Sequence, residues 1–180
     1  MIKLIGITGK ARSGKDTLAK LLWNHHDYVR IAFADPLKCA AQTIFGLTED
    51  QTWNDELKEV VIPRWKLTPR QIFQRLGTES VRDVFGPHVW TERWLLSYEQ
   101  VMNTDNVVIP DVRFENEAKM IRELGGIIIE VRRGDGLAGA EGAHASEAGG
   151  IEADYVIDNN GTLETLLEDL NGILRLAEVK

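Results

Sequence analysis

The sequence is short of cysteine, of basic charge and of long apolar runs, and each shortage excludes something. One cysteine, Cys39, rules out an internal disulfide and any cysteine-based zinc site. It sits in "LKCAAQ" on an apparent helix, where a small core hydrophobe is expected. Lys and Arg number 21 against 28 Asp and Glu, a formal net charge of −7. A protein that binds a nucleic-acid polymer usually carries a basic surplus, so no such polymer is expected as a partner. Small phosphorylated ligands stay open, because they need only a local cationic pocket. No apolar run is long enough to span a bilayer, so no membrane partner is expected. "MIKLIGITG" at the start lacks the longer apolar region of a secretory signal and reads as a buried strand in a cytoplasmic protein. No repeat, low-complexity tract or linker divides the chain, and 180 residues suit one domain with a sizeable core.

What is present is alternation. Residues 2–7, 28–34, 106–113, 127–133 and 153–159 are short β-branched runs that read as strands. Residues 15–24, 35–46, 48–61, 69–85, 88–103, 114–126 and 162–178 read as helices. Asp35 is the expected N-cap of the second, with Pro36 at its first position and Gly46 as its stop. This pattern predicts an α/β fold with a mostly parallel five-stranded sheet flanked by helices. Ligands in such sheets bind beyond the carboxyl ends of the strands.

"GKARSGKDT", residues 9–17, follows the first strand and opens a helix. Gly9, Gly14 and Lys15 fit the phosphate-binding pattern G-x-x-x-x-G-K-[ST], but Asp16 stands where a hydroxyl is usual and Thr17 comes one place later. Backbone N–H groups of such a loop, with the helix N-terminus behind them, form an anion cradle. Lys15 would reach the outer phosphates, and Lys10 and Arg12 add positive charge at the rim. A carboxylate at Asp16 can hold a hard cation between itself and the phosphates. Its plainer reading is a helix-terminal charge.

Other residues gather at the predicted strand ends. "NVVIPDVR" delivers Asp111, where phosphate-loop enzymes commonly hold magnesium, and Arg113, whose planar fork suits phosphate. "FADPLK" sets Asp35 and Lys38 three apart, able to read a hydroxyl or base edge and a phosphate; a cap plus a surface lysine is the alternative. "RQIFQRLGTE" offers Arg70, Arg75, Gly77 and Thr78, with a glycine in a helix-like run where it costs stability. Trp90 is a candidate stacking plate for a base, although core packing is the usual role of a tryptophan. His25 and His26 end a helix as solvated cations, and His88 begins one. His144 and Glu147 lie on a loose glycine-rich stretch, 134–150, that fits a loop closing over substrate better than a zinc site.

"GKARSGKDT", "FADPLK", "LGTE" with "VWTERWL", "VVIPDVRFENEA", "HASE" and "YVIDNNGTLETL", in this order, resemble the phage-type deoxynucleoside monophosphate kinases. The resemblance runs from residue 2 to about 176 and is strongest over 70–167. It implies a single P-loop kinase domain over 1–180, with a helical acceptor-binding region at about 35–105 and a short lid at about 133–150. It implies transfer of the γ-phosphate of ATP, with Mg2+, onto a deoxynucleoside monophosphate (dNMP). Asp after the loop lysine belongs to the family's pattern. Carried over by motif, Lys10, Arg12, Ser13, Gly14, Lys15, Asp16 and Thr17 would hold ATP. Asp35, Lys38, Arg70, Gly77, Thr78, Trp90, Arg113 and Glu117 would surround the dNMP. Lys15, Arg113 and Arg132 would act in catalysis, Arg132 with Arg133 as a basic pair before the lid, and Asp16 and Asp111 would serve the metal. Residues 46–68 are compact where longer relatives carry insertions that help form the acceptor pocket. A second copy of the chain is a candidate partner. A small-molecule kinase acting on a substrate such as phosphomevalonate, and a non-enzymatic nucleotide-gated module, are the competing readings.

Overall fold

The structure is a computed structural model that describes residues 2–134 and 150–178. Five strands run through it: β1 (Leu4–Thr8), β2 (Tyr28–Arg30), β3 (Asn106–Ile109), β4 (Ile127–Arg132) and β5 (Tyr155–Asp158). Its α-helices are α1 (Lys15–His26), α2 (Ala34–Phe45), α3 (Glu49–Trp53), α4 (Pro69–Gln74), α5 (Asp83–Phe85), α6 (Val89–Tyr98), α7 (Glu115–Glu123) and α8 (Leu163–Glu178). A 3-10 turn covers Leu57–Glu59 and a π-helix covers Arg75–Arg82. Two compact units result, Met1–Ala32 with Arg93–Lys180, and Phe33–Glu92.

The first unit is a parallel sheet in the order β2-β3-β1-β4-β5. Every residue of β1 is buried, which is why "LIGIT" reads as a continuous apolar run rather than an alternation. Ile5 and Ile7, with Val108, Ile129, Val131 and Ile157 of the neighbouring strands, pack with Leu18 and Leu22 of α1 and Leu166 and Leu170 of α8. Trp94 is buried, stacks on Tyr98 at 4.8 Å and donates its indole N–H to the Ile31 carbonyl. Thus all five predicted strands exist and all are parallel. The second is shorter than expected: ladder pairing stops after Arg30, although Ile31 N still donates to Val108 O. His26 is half-buried with Nε2 enclosed, which corrects its expectation as a solvated cation; His25 is exposed.

The second unit is helical around a small core of Ala41, Leu47 and Ile72, against which Phe45, Ile62, Leu67, Phe73 and Leu76 pack. Helix α2 starts at Ala34, because Phe33 already has helical dihedrals. Asp35 is therefore inside the first turn rather than capping it, and Pro36 stands third, a place where its missing N–H has no intrahelical use. Cys39 is exposed, not part of the core as its sequence neighbours led one to expect. The helix expected over 48–61 splits at Asn54, whose extended backbone and side-chain acceptance from Glu56 N form a local turn. Thr48 and Thr68 each exchange hydrogen bonds with Gln51 and Gln71 in capping boxes that start α3 and α4. The run 69–85 is not one α-helix but α4, the π-helix and α5 in succession. Gly77 sits in the π-helix because a Cβ there would come within 2.6 Å of Leu37 Cδ2. Among the described residues no helix is long and apolar enough to cross a membrane.

Candidate active site

The loop between β1 and α1 has the backbone shape of an anion cradle. Gly9 at φ 137° leaves the strand, and Gly14 at φ 107° caps α1, a conformation L side chains rarely adopt. Between them Ser13 N bonds to Lys10 O at 3.2 Å, closing a turn in which Arg12 also has positive φ, 61°. A non-glycine residue held there is strained, and such strain gathers at ligand clamps. Lys15 Nζ donates to Gly9 O at 2.9 Å and Lys10 O at 2.7 Å, so the ammonium lies over the loop's own backbone. Ser13 Oγ is buried with no hydrogen-bond partner among the described residues. Asp16 and Thr17 are exposed on the first turn of α1.

Asp111 and Arg113 follow β3. Val112 N donates to Ile7 O at 3.1 Å, which extends the β3–β1 pairing and keeps this segment beside the carboxyl end of β1. Glu117, only 3% exposed, accepts from Arg113 N at 2.7 Å and Phe114 N at 3.0 Å. It is a buried carboxylate that fixes the turn carrying Arg113. Arg132 ends β4, exposed, with its guanidinium on Glu130 at 2.7 Å. That hydrogen bond and the Glu130 charge raise its pKa further, so it stays cationic at any working pH. Loop, Asp111, Arg113 and Arg132 therefore share the carboxyl edge of one sheet.

In the helical unit Lys38 stands 4.5 Å over the Trp53 ring. Arg70 Nε donates to Glu59. Trp90 Nε1 donates to Gly77 O at 2.9 Å, so its ring is held on the π-helix that carries Thr78, whose carbonyl accepts from Asp83 N. Asp35 is half-buried on the first turn of α2. The Asp55 carboxyl is held below its ordinary pKa by the hydrogen bond from Lys58. Sequence reasoning missed Trp53 and Glu59, and also Asn159, whose Nδ2 donates to Ser13 O. Their signals were weak: an aromatic and an acid in a polar stretch, and an amide after the last strand. His144 and Glu147 lie outside the described residues. Among those residues no group of three or more His, Cys, Asp or Glu forms a metal cluster.

The sequence model of the deoxynucleotide monophosphate kinases matches residues 47–170, more than half of the chain. This chain belongs to that family. A putative deoxynucleotide monophosphate kinase of Acanthamoeba polyphaga mimivirus is 39% identical over 176 residues, covering 89% of this chain and 90% of the relative. The deoxynucleotide monophosphate kinase of Enterobacteria phage T4 is 24% identical over 242 residues, covering 97% of this chain and all of its own (100%). Dephospho-CoA kinase from Campylobacter jejuni (TM-score 0.54, 12% identity, 99% of this chain and 98% of that one) shares the fold. So does TT1252 from Thermus thermophilus (TM-score 0.52, 23% identity, 96% of each chain). The chain is accordingly a phosphotransferase on a P-loop kinase fold, and it phosphorylates dNMPs.

Proposed function

We propose that the donor is ATP, that the reaction is ATP + dNMP → ADP + dNDP, and that the donor lies in the β1–α1 loop. The observation that carries this is the loop itself: left-handed Gly14 opening α1 directly behind a buried parallel strand, with Lys15 over the loop carbonyls. Lys10, Arg12, Ser13, Gly14, Lys15, Asp16 and Thr17 form the donor site. Lys15 exchanges neutral carbonyl partners for anionic oxygens, the stronger charge-assisted bond. Asp35, Lys38, Arg70, Gly77, Thr78 and Trp90, all within residues 33–92, serve the acceptor. Arg113 neutralises charge on the transferred group, and Glu117 contributes through the Arg113 backbone that it caps. Arg132 adds a second guanidinium charge. The acceptor is already a phosphate anion, so no strong general base is required and catalysis is positioning plus electrostatics.

The residues fit magnesium carried on the nucleotide. Mg2+ is commonly held by one or two carboxylates plus substrate phosphates and water, so a protein-only cluster is not needed. Asp111 at the end of β3 and Asp16 at the start of α1 would hold it. When bound, it would neutralise charge on the β and γ oxygens.

Mixing enzyme, ATP, Mg2+ and each dNMP in turn, with dNDP read by chromatography, tests the donor and the metal. At least one dNMP should yield dNDP with ATP, and chelation should stop it. Turnover that ignores chelation, or that requires a different donor, overturns this reading. Arg70→Ala and Arg113→Ala should raise KM for the dNMP several-fold more than KM for ATP. Equal effects on both substrates would remove these arginines from the acceptor site.

A further inference from the structure

We propose that Asn159 is a positioning residue of the phosphate loop, holding the Ser13–Gly14 peptide in its phosphate-facing orientation. The inference rests on the reading of this loop as the donor site. Asn159 is the first residue past β5, and its backbone N donates to Arg132 O at 2.6 Å, carrying the β4–β5 ladder one step beyond the strand. This step sets its side chain at the carboxyl edge of the sheet. Nδ2 then donates to Ser13 O at 2.9 Å, a contact between residues at opposite ends of the sequence.

The fit is close enough to constrain the loop sequence. A Cβ on Gly14 would lie 2.2 Å from Asn159 Nδ2, well inside any real contact. Gly14 thus answers two demands at once, its left-handed backbone and the room Asn159 occupies. In a trans peptide the C=O and the following N–H point in opposite directions. Fixing Ser13 O on Asn159 therefore turns the Gly14 N–H to the other side, where it serves as a cradle donor. It also keeps the Ser13 carbonyl dipole from facing the polyphosphate. The neighbouring Asn160 Oδ1 accepts from Gly134 N at 2.7 Å, just past Arg132 and Arg133. The two asparagines thereby tie the loop and the exit of β4, with its catalytic Arg132, to one point of chain. Asn159 holds the loop through the Ser13 carbonyl, so its role is read as positioning of the loop.

The test measures ADP affinity by calorimetry together with KM for ATP and for dNMP. Asn159→Asp keeps the shape, removes the donor and sets a carboxylate against the Ser13 carbonyl; Asn159→Ala removes the contact alone. Each should weaken ADP binding about tenfold or more, the scale of one lost hydrogen bond plus misdirected dipoles. KM for dNMP should stay within about twofold, the scale of a few tenths of a kcal/mol. Unchanged ADP affinity, or an equal rise in both KM values, overturns the proposal and leaves Asn159 as structural glue. Should neither variant fold, the wild-type enzyme still answers. Adding ADP should move the Gly14 amide proton resonance downfield, and an unmoved resonance overturns the proposal. Lys15→Ala separates this inference from its premise. If Lys15→Ala also binds ADP normally, the donor site is misassigned. If Lys15→Ala loses ADP and Asn159→Asp does not, the role of Asn159 alone is wrong.

Discussion

The two units of this kinase are stabilised in different ways. The sheet unit buries whole strands: β1 is closed to solvent along its length, and the side chains around it are almost entirely aliphatic. The helical unit, Phe33–Glu92, has a small core cluster of Ala41, Leu47 and Ile72 and leaves Trp53, Val60, Val61, Trp65, Val84 and Phe85 exposed. It relies instead on capping boxes at Thr48 and Thr68, on Lys38 over Trp53, on the Arg70–Glu59 pair and on the Trp90–Gly77 bond. Buried apolar area is worth more and is insensitive to small shifts. Polar contacts are directional, and exposed ones are individually weak. The loop proposed to hold the donor is thus mounted on the sheet unit. The residues assigned to the acceptor sit on a unit whose local opening costs less.

The sharpest way to break this contrast is Lys15→Ala. Phosphoryl transfer should fall several hundred-fold, about 3–4 kcal/mol of transition-state stabilisation. The melting temperature should barely move, because Lys15 is no part of the sheet core. A mutant that keeps its rate would remove the loop from the chemistry; one that unfolds would deny the sheet its independence from the loop.

Gly77→Ala probes the other side. The new methyl meets the Leu37 side chain, and overpacking of this kind costs about 1–3 kcal/mol. Hydrogen exchange should quicken within residues 33–92 while the strand amides stay protected. Adding Leu37→Ala should restore part of the loss. Uniform acceleration across both units would mean that they do not open separately.

The smallest effect is expected at Asp16. As a helix-terminal charge alone, Asp16→Asn would cost about 0.3–1 kcal/mol and leave the magnesium dependence of activity unchanged. With the metal role proposed here, half-saturation in magnesium moves to higher concentration, and Asp111→Asn moves it further. A magnesium curve shifted by Asp111→Asn only would return Asp16 to the role of a terminal charge.

The sheet unit was legible because its signal is local. Short β-branched runs separated by helical periodicity can form little else than parallel strands, and the glycine loop is punctuated by residues with one conformational purpose. The helical unit was legible only in outline. Helix starts at 48 and 69 are expected from the sequence, and the structure shows that capping boxes at Thr48 and Thr68 make them. Nothing in 69–85 announces a π-helix, since an i→i+5 bond in place of i→i+4 has no residue-type signature of its own. Only Gly77 hinted at it, and its reason, Leu37, lies on another helix. Asn159 was hidden for the same cause: its meaning is a contact with Ser13, and an amide after a strand looks like any turn residue.

The position of β1 has a consequence for how the chain is made. Of the five strands it leaves the ribosome before the other four, yet it lies at the centre of the sheet, paired with Val107–Ile109 on one side and Ile127–Glu130 on the other. Neither partner exists until most of the chain has been synthesised. Until then "LIGIT" is an unpaired apolar strand that α1 alone can shield. Closure of the sheet must await these distant pairings, which makes folding slow and the nascent chain prone to aggregation.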